Sequence, residues 1–511
     1  MGWLTDQPNI IFIFGDDYGY HDIGYHDQSV IQTPNMDQLA ADGVTLNNYY
    51  VQPMCTPTRG TMMSGRYMIY AGLQHSVIQS CQQAGLPLEM PTIADALRAE
   101  GYATYMVGKW HIGFFSDDYV PTHRGFDSFF GYLSGGVAYY NYIECVVNST
   151  MGVTSAAQYF ACDDLMANYD TATEEEMEGF LCGFDLYNNE TVAWEYDGVY
   201  STPLFTEKAI DIIKMQSEMD KPFFLYLSYQ ATHGPLAAPD EVVEPYADTI
   251  SDENRRIYAG MTTYMDQGIG NLTNALEQYG LRDNTIIIFS NDNGGDTNSG
   301  AINWPLRGSK TTLWEGAIKG IGWVNSPLLQ KTGTINNGLM HVSDWFPTLV
   351  GLAGGDASQY TLDGFDIWDS ISNDEDSPRE EILINIDPMN LLRGEDSDIS
   401  DWDSRMSAAI RVGDWKLITG DPGAGAWTAP PEDSDLESIA DPDPSDKNIW
   451  LFNIADDPNE TTDLFDDNQD QAIDMLNKLA EYQANAFGPT YPDIDLNCNP
   501  ANFDDVWTWW Q

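Results

Sequence analysis

The first two-thirds of the chain alternates short, continuous apolar runs with segments of helical pattern. The runs "NIIFIFGDD", "YATYMVGKWHIG", "KPFFLYLSYQATHGP" and "NTIIIFSNDNGG" predict strands, because they are rich in β-branched and aromatic residues. The segments "TPNMDQLAADG", "MPTIADALRAEG" and "YAGMTTYMDQGIGNLTNALEQYG" predict helices. Continuous apolar strands separated by helices indicate a large, mostly parallel sheet that helices cover on both faces, which is an α/β fold.

The pattern changes from about residue 380. The segments "EEILINID", "MSAAIRVGDWKLITG" and "NIWLFNI" predict antiparallel strands, and "NQDQAIDMLNKLAEYQANAF" predicts a terminal helix. We therefore expect a large α/β domain over residues 1–375 and a smaller C-terminal α+β domain with an antiparallel sheet over residues 376–511.

Composition and charge exclude several classes of partner. The 511 residues are 42% hydrophobic, and 79 acidic against 22 basic residues give a net charge of −57. Such a surface repels nucleic acid and anionic membranes, so we expect neither as a partner. No apolar run approaches the roughly 18 residues of a membrane span. The opening "MGWLTDQPNIIFIF" lacks the features of a signal peptide, so we expect a mature or trimmed form.

Polar residues follow four of the predicted strands. The carboxyl ends of parallel strands meet at one edge of a sheet, where open α/β sheets bind their ligands. The residues at these ends are Asp16, Asp17, Lys109, His111, His233, Asp292 and Asn293. The carboxylate and amide oxygens among them suit Ca²⁺, with Mg²⁺ as the alternative. Together with Arg59 and Lys310, the cations among them indicate a sulfate or phosphate pocket.

The stretch "VQPMCTPTRGTMMSGR" at residues 51–66 places a cysteine beside two of the scarce arginines. Pro57 is typical of the first turn of a helix, so Cys55 is expected at a helix N-terminus. Two interpretations of Cys55 stay open at this point. It is either a buried structural residue or a thiolate nucleophile whose pKa the helix end lowers.

The same stretch resembles the signature of the type I sulfatases, C-x-P-x-R followed by S-G-R. Further segments resemble this family in the expected order, among them "GDDYGYHDIGYHD", "VGKWHIG", "ATHGP", "SNDNGG", "LRGSKTTLWEG" and "AIRVGDWKLITG". The resemblance covers nearly the whole chain and is strongest to the arylsulfatase B group of N-acetylgalactosamine-4-sulfatases, through "NNYYVQPMCTPTRG" and "YAGLQHSVI". Thr58 departs from the usual Ser or Ala of the signature, and the region 145–200 matches poorly.

The resemblance implies an alkaline phosphatase-like fold and an arylsulfatase-type sulfuric ester hydrolase that releases inorganic sulfate. A formylglycine-generating enzyme would oxidise Cys55 to formylglycine, whose hydrate is the nucleophile. The implied ligands of Ca²⁺ are Asp16, Asp17, Asp292, Asn293 and the modified Cys55. Arg59 would orient the hydrate with help from Lys109 and His111, while His233 and Lys310 would assist departure of the alcohol. Arg66 is expected to brace the helix.

The implied substrate is a sulfated sugar or polysaccharide, and a related phosphoesterase or a non-enzymatic glycan binder are the alternatives. The resemblance also implies disulfides Cys81–Cys498 and Cys145–Cys182, with Cys162 left over or exchanged for Cys182. Such pairing favours an oxidising compartment, so we expect secretion, with a lysosome-like or periplasmic location as the alternative. Sequons for N-glycosylation begin at Asn148, Asn189, Asn271 and Asn459.

Overall fold

The computed structural model describes residues 7–149, 156–397 and 399–511. Residues 1–6 lie outside the described residues. They are the first six residues of the opening segment "MGWLTDQPNIIFIF". Thr150, the last residue of the sequon at Asn148, also lies outside the described residues.

Helices and strands alternate over most of the described chain. The α-helices are α1 (Pro34–Asp42), α2 (Cys55–Ser64), α3 (Ile93–Ala99), α4 (Ala156–Ala167), α5 (Glu174–Met177), α6 (Ser201–Gln216), α7 (Asp240–Val243), α8 (Glu253–Gln278), α9 (Glu315–Ile318), α10 (Trp345–Leu352), α11 (Trp368–Asn373) and α12 (Gln469–Gln483). The strands are β1 (Asn9–Gly15), β2 (Val44–Leu46), β3 (Tyr49–Tyr50), β4 (Ala103–Lys109), β5 (Ser128–Tyr132), β6 (Ile143–Val147), β7 (Phe180–Phe184), β8 (Tyr187–Asn188), β9 (Thr191–Val192), β10 (Phe223–Ser228), β11 (Thr285–Asn291), β12 (Gly322–Asn325), β13 (Thr334–Asn336), β14 (Met340–His341), β15 (Glu381–Asp387), β16 (Ser407–Val412), β17 (Trp415–Thr419) and β18 (Ile449–Asn453).

The main sheet confirms the predicted mostly parallel α/β architecture. Among the described residues its strand order is β13-β2-β12-β11-β1-β10-β4-β5-β8-β9. The five central strands, from β11 to β5, are parallel neighbours. Both β12 and β8 pair antiparallel with their central neighbours, so the sheet is mixed at its flanks. The apolar runs predict β1, β4, β10 and β11, whereas β12, with 4 residues, and β8, with 2, are too short to show such a pattern.

Helices cover both faces of this sheet, because alternate residues of each central strand point to opposite sides. Phe12 of β1 packs on one face, in a core that includes Trp345 of α10. Ile13 lies in the core of the other face, with Phe205 of α6 and Met265 of α8. Every residue of β1, β10 and β11 is buried, which explains their continuous apolar sequences.

The smaller C-terminal part confirms the predicted antiparallel sheet with a terminal helix. Strands β15 to β18 form a meander in chain order, and Leu417 shares a core with Met475 and Leu476 of α12. Lys416 joins this sheet to the larger part, since its fully buried ammonium lies 3.1 Å from Glu315. Breaking a buried ion pair is costly because one charge is left uncompensated. The domain boundary at residues 375/376 stays a prediction.

Four cysteines are paired in the structure. The disulfides are Cys81–Cys498 and Cys145–Cys182, which are the pairings implied by the resemblance, and the buried Cys162 is a free thiol. The alternative with Cys162 in place of Cys182 does not form. In the described part of the chain, no helix is both long and apolar enough to cross a membrane.

Candidate active site

The predicted polar strand ends do meet at one edge of the main sheet. Asp16 and Asp17 follow β1, and Asp292 and Asn293 follow β11, its parallel neighbour. Lys109 is the last residue of β4, two residues before His111. Gly108 precedes it with a φ of 101°, and a side chain there would lie 1.8 Å from the carbonyl oxygen of Ser228. Only glycine therefore fits this close approach of β4 to β10.

The acidic residues form one buried cluster. Consecutive side chains of a strand point to opposite faces, but Asp17 has a left-handed φ of 53°, which breaks this alternation after β1. Its backbone N–H donates to Oδ1 of Asp292 at 3.2 Å, and its carboxylate accepts from Nδ2 of Asn293 at 2.7 Å. Ligand atoms of Asp16, Asp17, Cys55 and His233 all lie within 4.8 Å of one another.

The donor set of this cluster fits a hard cation. Oδ1 of Asn293 is buried without a hydrogen-bond partner among the described residues, which leaves an oxygen to coordinate. Burial and the neighbouring carboxylate of Asp292 raise the pKa of Asp16. A cation would relieve that repulsion, and carboxylate and amide oxygens are what Ca²⁺ and Mg²⁺ prefer. These residues therefore form a candidate metal site.

Cys55 is the first residue of α2. Its thiol donates to Oδ1 of Asp16 at 3.7 Å, so it lies against the acidic cluster. Burial raises the pKa of the Cys55 thiol well above its usual value, although Lys109 and Lys310 oppose this. Burial thus outweighs the two lysines and disfavours the thiolate form, while the helix N-terminus places Cys55 at the acidic cluster. The two interpretations of Cys55, structural residue and thiolate nucleophile, stay predictions.

Arg59 lies one helical turn after Cys55 and is directed at the carboxylates. Its Nε and Nη2 donate to Oδ2 of Asp292 at 3.1 and 2.9 Å, and Nη2 lies 3.3 Å from Oδ2 of Asp16. Burial alone would raise the pKa of Asp292, but Arg59 and Lys109 hold it below its usual value. Arg59 thus fixes the two carboxylates relative to α2. Arg66, beyond the end of α2, instead donates to Asp363 at 2.8 Å.

Two lysines reach the same cluster from different elements. Nζ of Lys109 lies 2.6 Å from Oδ2 of Asp16, and Nζ of Lys310 lies 2.7 Å from Oδ2 of Asp17. Lys109 is fully buried, whereas Lys310 lines the large cavity above the cluster. The two ammonium groups thus bring positive charge to the acidic cluster, Lys109 from a buried strand end and Lys310 from the cavity wall.

The environment of the two histidines disfavours their charged forms. Burial, with Lys109 and other cations nearby, lowers the pKa of both His111 and His233 well below the usual value. Nδ1 of His233 lies 2.6 Å from the carbonyl oxygen of Gly234, so it carries the proton. Its Nε2 is directed to Asp17 at 3.8 Å. Nε2 of His111 lies 3.0 Å from the carbonyl oxygen of Ile78 and donates to it.

Comparison with known proteins identifies this arrangement. The family model described as Sulfatase matches residues 8–355, more than half of the chain. The chain belongs to the sulfatase family. This sulfatase is 43% identical to arylsulfatase J of Mus musculus, over 99% of this chain and 81% of that protein. It is 28% identical to arylsulfatase A of Homo sapiens, over 98% of this chain and 94% of that one.

A solved structure agrees with these relatives. The crystal structure of Ps i-CgsB in complex with k-i-k-neocarrahexaose matches this sulfatase with a TM-score of 0.75 and 28% identity, over 95% of each chain. The fold is therefore alkaline phosphatase-like, and the protein is a sulfuric ester hydrolase that acts on sulfate esters. These comparisons do not single out arylsulfatase B, so that closer resemblance stays a prediction.

The cavity of this sulfatase contains polar residues that the sequence did not indicate. Its volume is about 740 Å³, and Cys55, His111, His233 and Lys310 line it. Its further lining includes His75, Glu144, Cys162 and Asp163. Burial raises the pKa of Glu144 to about 8 and that of Asp163 to about 7. Glu144 lies beside the region 145–200, which matches the family poorly, and Asp163 lies within it. In the sequence, only the adjacent cysteines, Cys145 and Cys162, could have drawn attention to these two acids.

Proposed function

We propose that this sulfatase hydrolyses a sulfate ester of a sulfated sugar, with Ca²⁺ in the acidic cluster and formylglycine at position 55. The observation that carries the proposal is the position of Cys55. It begins α2 against Asp16 and lines the same cavity as Lys310, and burial raises the pKa of its thiol, which disfavours direct attack by a thiolate.

The residues that would hold Ca²⁺ are Asp16, Asp17, Asp292, Asn293 and the modified residue 55. When bound, the ion supplies positive charge that polarises the oxygens of the sulfate group. Formylglycine at position 55 would supply a geminal diol, with one hydroxyl as the nucleophile towards sulfur and the second as the group that later releases sulfate. A cysteine at this position is thus a precursor of the nucleophile. Because every residue of α2 is buried, the formylglycine-generating enzyme must meet this segment before the chain folds.

The protein residues around the sulfate have separate tasks. Arg59 and Lys109 hold the carboxylates of Asp292 and Asp16 and compensate their charge. His111 is fixed through its Nε2 bond to Ile78. Lys310 lies at the cavity side, where its ammonium can donate a proton to the departing alcohol oxygen. His233 lines the same cavity and would assist departure of the alcohol together with Lys310, and its lowered pKa favours a role in orienting the leaving group.

A carbohydrate substrate is supported by Ps i-CgsB, which is solved with k-i-k-neocarrahexaose. The two disulfides, one of which closes 417 residues of sequence, favour an oxidising compartment and therefore secretion. A lysosome-like or periplasmic location is the alternative, and the sequons at Asn189, Asn271 and Asn459 stay candidates for glycosylation.

The proposal is tested with protein co-produced with a formylglycine-generating enzyme. We expect the tryptic peptide that contains residue 55 to have the mass of formylglycine, and an aryl sulfate to be hydrolysed much faster than the matched aryl phosphate. The Cys55→Ala variant should have neither the aldehyde nor activity. Faster turnover of the phosphate would identify a phosphoesterase instead. Sugar binding by protein that keeps an unmodified thiol and has no turnover would identify a glycan binder.

A further inference from the structure

His75 lines the active-site cavity opposite the catalytic cluster and is held by a carboxylate. Its Nδ1 lies 2.8 Å from Oδ2 and 3.1 Å from Oδ1 of Asp387, the last residue of β15 in the C-terminal sheet. Asp387 is almost completely buried, whereas His75 is 27% exposed. The carboxylate oxygens accept this contact, so Nδ1 carries the proton and Nε2, on the other side of the ring, faces away from Asp387.

The segment that carries His75 is fixed to both walls of the cavity. On the catalytic side, the N–H of Ile78 donates to Oγ1 of Thr56 at 3.1 Å, and its carbonyl oxygen accepts from His111 at 3.0 Å. On the other side, the hydroxyl of Tyr491 donates to the carbonyl oxygen of Ser76 at 2.5 Å. The position of His75 relative to Cys55 is therefore set by hydrogen bonds at both ends of a short segment.

A half-exposed apolar side chain lies beside this histidine. The N–H of Met389 donates to Oδ1 of Asp387 at 2.9 Å, so one carboxylate fixes both His75 and the start of the loop after β15. Met389 is 50% exposed and lines the same cavity. An imidazole nitrogen beside an apolar surface matches a sugar ring, which presents hydroxyl groups and C–H groups side by side.

The charges of the cavity favour a neutral group at this position. Among the described residues that line it, Lys310 is the one lysine or arginine, and it lies at the catalytic cluster. The acidic lining residues are Glu144, Asp163, Asp296 and Asp493. A second sulfate or a carboxylate on the substrate would have no lysine or arginine other than Lys310 to compensate it among these lining residues. The raised pKa of Glu144 and of Asp163 makes these two less negative than ordinary carboxylates, so the lack of basic groups carries the argument.

We propose that His75, held by Asp387, is a specificity-determining residue that accepts a hydrogen bond from a free hydroxyl of the sugar beside the sulfate ester. The enzyme consequently prefers sugar units with one sulfate over units with a second anionic group next to it. This inference rests on the proposed sulfatase activity and concerns only the leaving-group side of the same site.

The test compares sulfate esters that differ in the alcohol from which the sulfate is removed. The probes are 4-methylumbelliferyl sulfate, which has no sugar hydroxyl, and the 4-sulfate, 6-sulfate and 4,6-disulfate of methyl galactoside and of methyl N-acetylgalactosaminide. The variants are His75→Ala, His75→Gln, whose amide oxygen can still accept, and His75→Lys. His123→Ala is the matched control, because His123 also contacts a carboxylate, that of Glu190 at 3.4 Å, but does not line this cavity.

We expect the wild-type enzyme to turn over a monosulfate with a higher kcat/KM than the disulfate of the same sugar. In His75→Ala, kcat/KM on the monosulfate should fall about tenfold relative to that on the aryl sulfate, mainly through KM, as expected for the loss of one hydrogen bond. His75→Gln should recover part of the loss. His75→Lys should move the preference about tenfold towards the disulfate, and His123→Ala should behave as wild type.

Several outcomes would overturn the inference. An equal loss of kcat/KM on aryl and sugar sulfates in His75→Ala would show that His75 acts in folding or in the chemical step. The melting temperatures of the variants would distinguish these two roles. Equal turnover of mono- and disulfate by the wild type would exclude the charge argument. Aryl sulfate turnover without turnover of any monosulfate would also refute the inference but leave the proposed function standing. Absence of aryl sulfate turnover in protein with verified formylglycine would refute both.

Discussion

Nζ of Lys109 lies 2.6 Å from Oδ2 of Asp16, and both side chains are completely buried. Removing the ammonium would take away the nearer of the two basic groups at this buried carboxylate and leave Arg59, whose Nη2 lies 3.3 Å away. Lys109→Met should therefore lower kcat/KM on an aryl sulfate by about 100-fold or more. It should also cost about 3–5 kcal/mol of stability in metal-free protein.

Steady-state kinetics and chemical unfolding would measure these two effects. Lys331→Met is the control, because Lys331 is half exposed and forms only a surface contact with Asp374 at 3.4 Å. An exposed pair contributes little, so this variant should match wild type. If Lys109→Met has the same kinetics as the wild type, the proposal that the sulfate binds at the cluster of Lys109 and Asp16 is contradicted.

Removal of the metal should lower both activity and stability. A ligand that binds only the folded state stabilises it by about 2.7 kcal/mol at 100 times its dissociation constant. Ca²⁺ added after chelation should therefore raise the melting temperature and restore aryl sulfate turnover. In Asn293→Ala, which lacks the buried and unpartnered Oδ1, more Ca²⁺ should be needed for the same rise.

Asn485→Ala, a change at an exposed asparagine, is the control for this titration. Identical calcium dependence of Asn293→Ala and wild type would remove Asn293 from the ligand set. A melting temperature that does not respond to Ca²⁺ or Mg²⁺ would argue against a metal in the cluster altogether.

Stability should depend on pH through Glu144. Burial raises the pKa of this carboxyl from 4.5 to about 8. Between these values the folded protein keeps a proton that the unfolded chain releases, so the contribution is full below pH 4.5 and is lost as pH rises towards 8. Relative to Glu144→Gln, which stays neutral, the wild type should lose up to about 1.4 kcal/mol of stability per pH unit in this window.

Parallel melting curves of wild type and Glu144→Gln between pH 5 and 8 would measure this trend, because other titrating groups cancel in the difference. Glu190→Gln is the control, because it makes the same change at an exposed carboxyl and so measures its effect on stability without burial. A constant difference between wild type and Glu144→Gln over this range would contradict the buried, protonated carboxyl.

Activity on long sulfated polysaccharides should rise with ionic strength. The chain has a net charge of −57, so it repels a polyanion before the ester can reach the cavity. Salt shortens the Debye length from about 30 Å at 0.01 M to about 10 Å at 0.1 M and screens this repulsion. Initial rates on a polysaccharide, divided by rates on an aryl sulfate at the same salt concentration, would show the effect. A flat or falling ratio would refute it.

Much of this molecule could be predicted from local sequence. The apolar runs before Asp16 and Asp292 identify central strands because these strands are buried on both faces and need no alternation. The polar pairs that end these runs are easily recognised in the sequence. Because the strands are parallel neighbours, the pairs lie at the same edge of the sheet. The antiparallel strands at the sheet flanks could not be predicted, since β12 has only 4 residues and β8 only 2.

The leaving-group side of the cavity could not be predicted in the same way. His75 and Asp387 are 312 residues apart, and each by itself is an ordinary polar residue in a loop or at a strand end. Glu144 acquires its raised pKa only from the residues that bury it. These properties arise from the packing of distant segments, which no local pattern encodes.

The β15 strand contributes the carboxylate of Asp387 from outside the segment, residues 8–355, that the family model matches. In the proposed recognition, His75 comes from the segment that the family model matches and its partner Asp387 comes from the segment beyond it, so choice of substrate depends on both. Exchanging the C-terminal sheet between two related enzymes should therefore alter sugar preference while the reaction itself is retained. Recombination near residue 375 is thus a route by which such an enzyme changes its substrate range and keeps the residues that break the S–O bond.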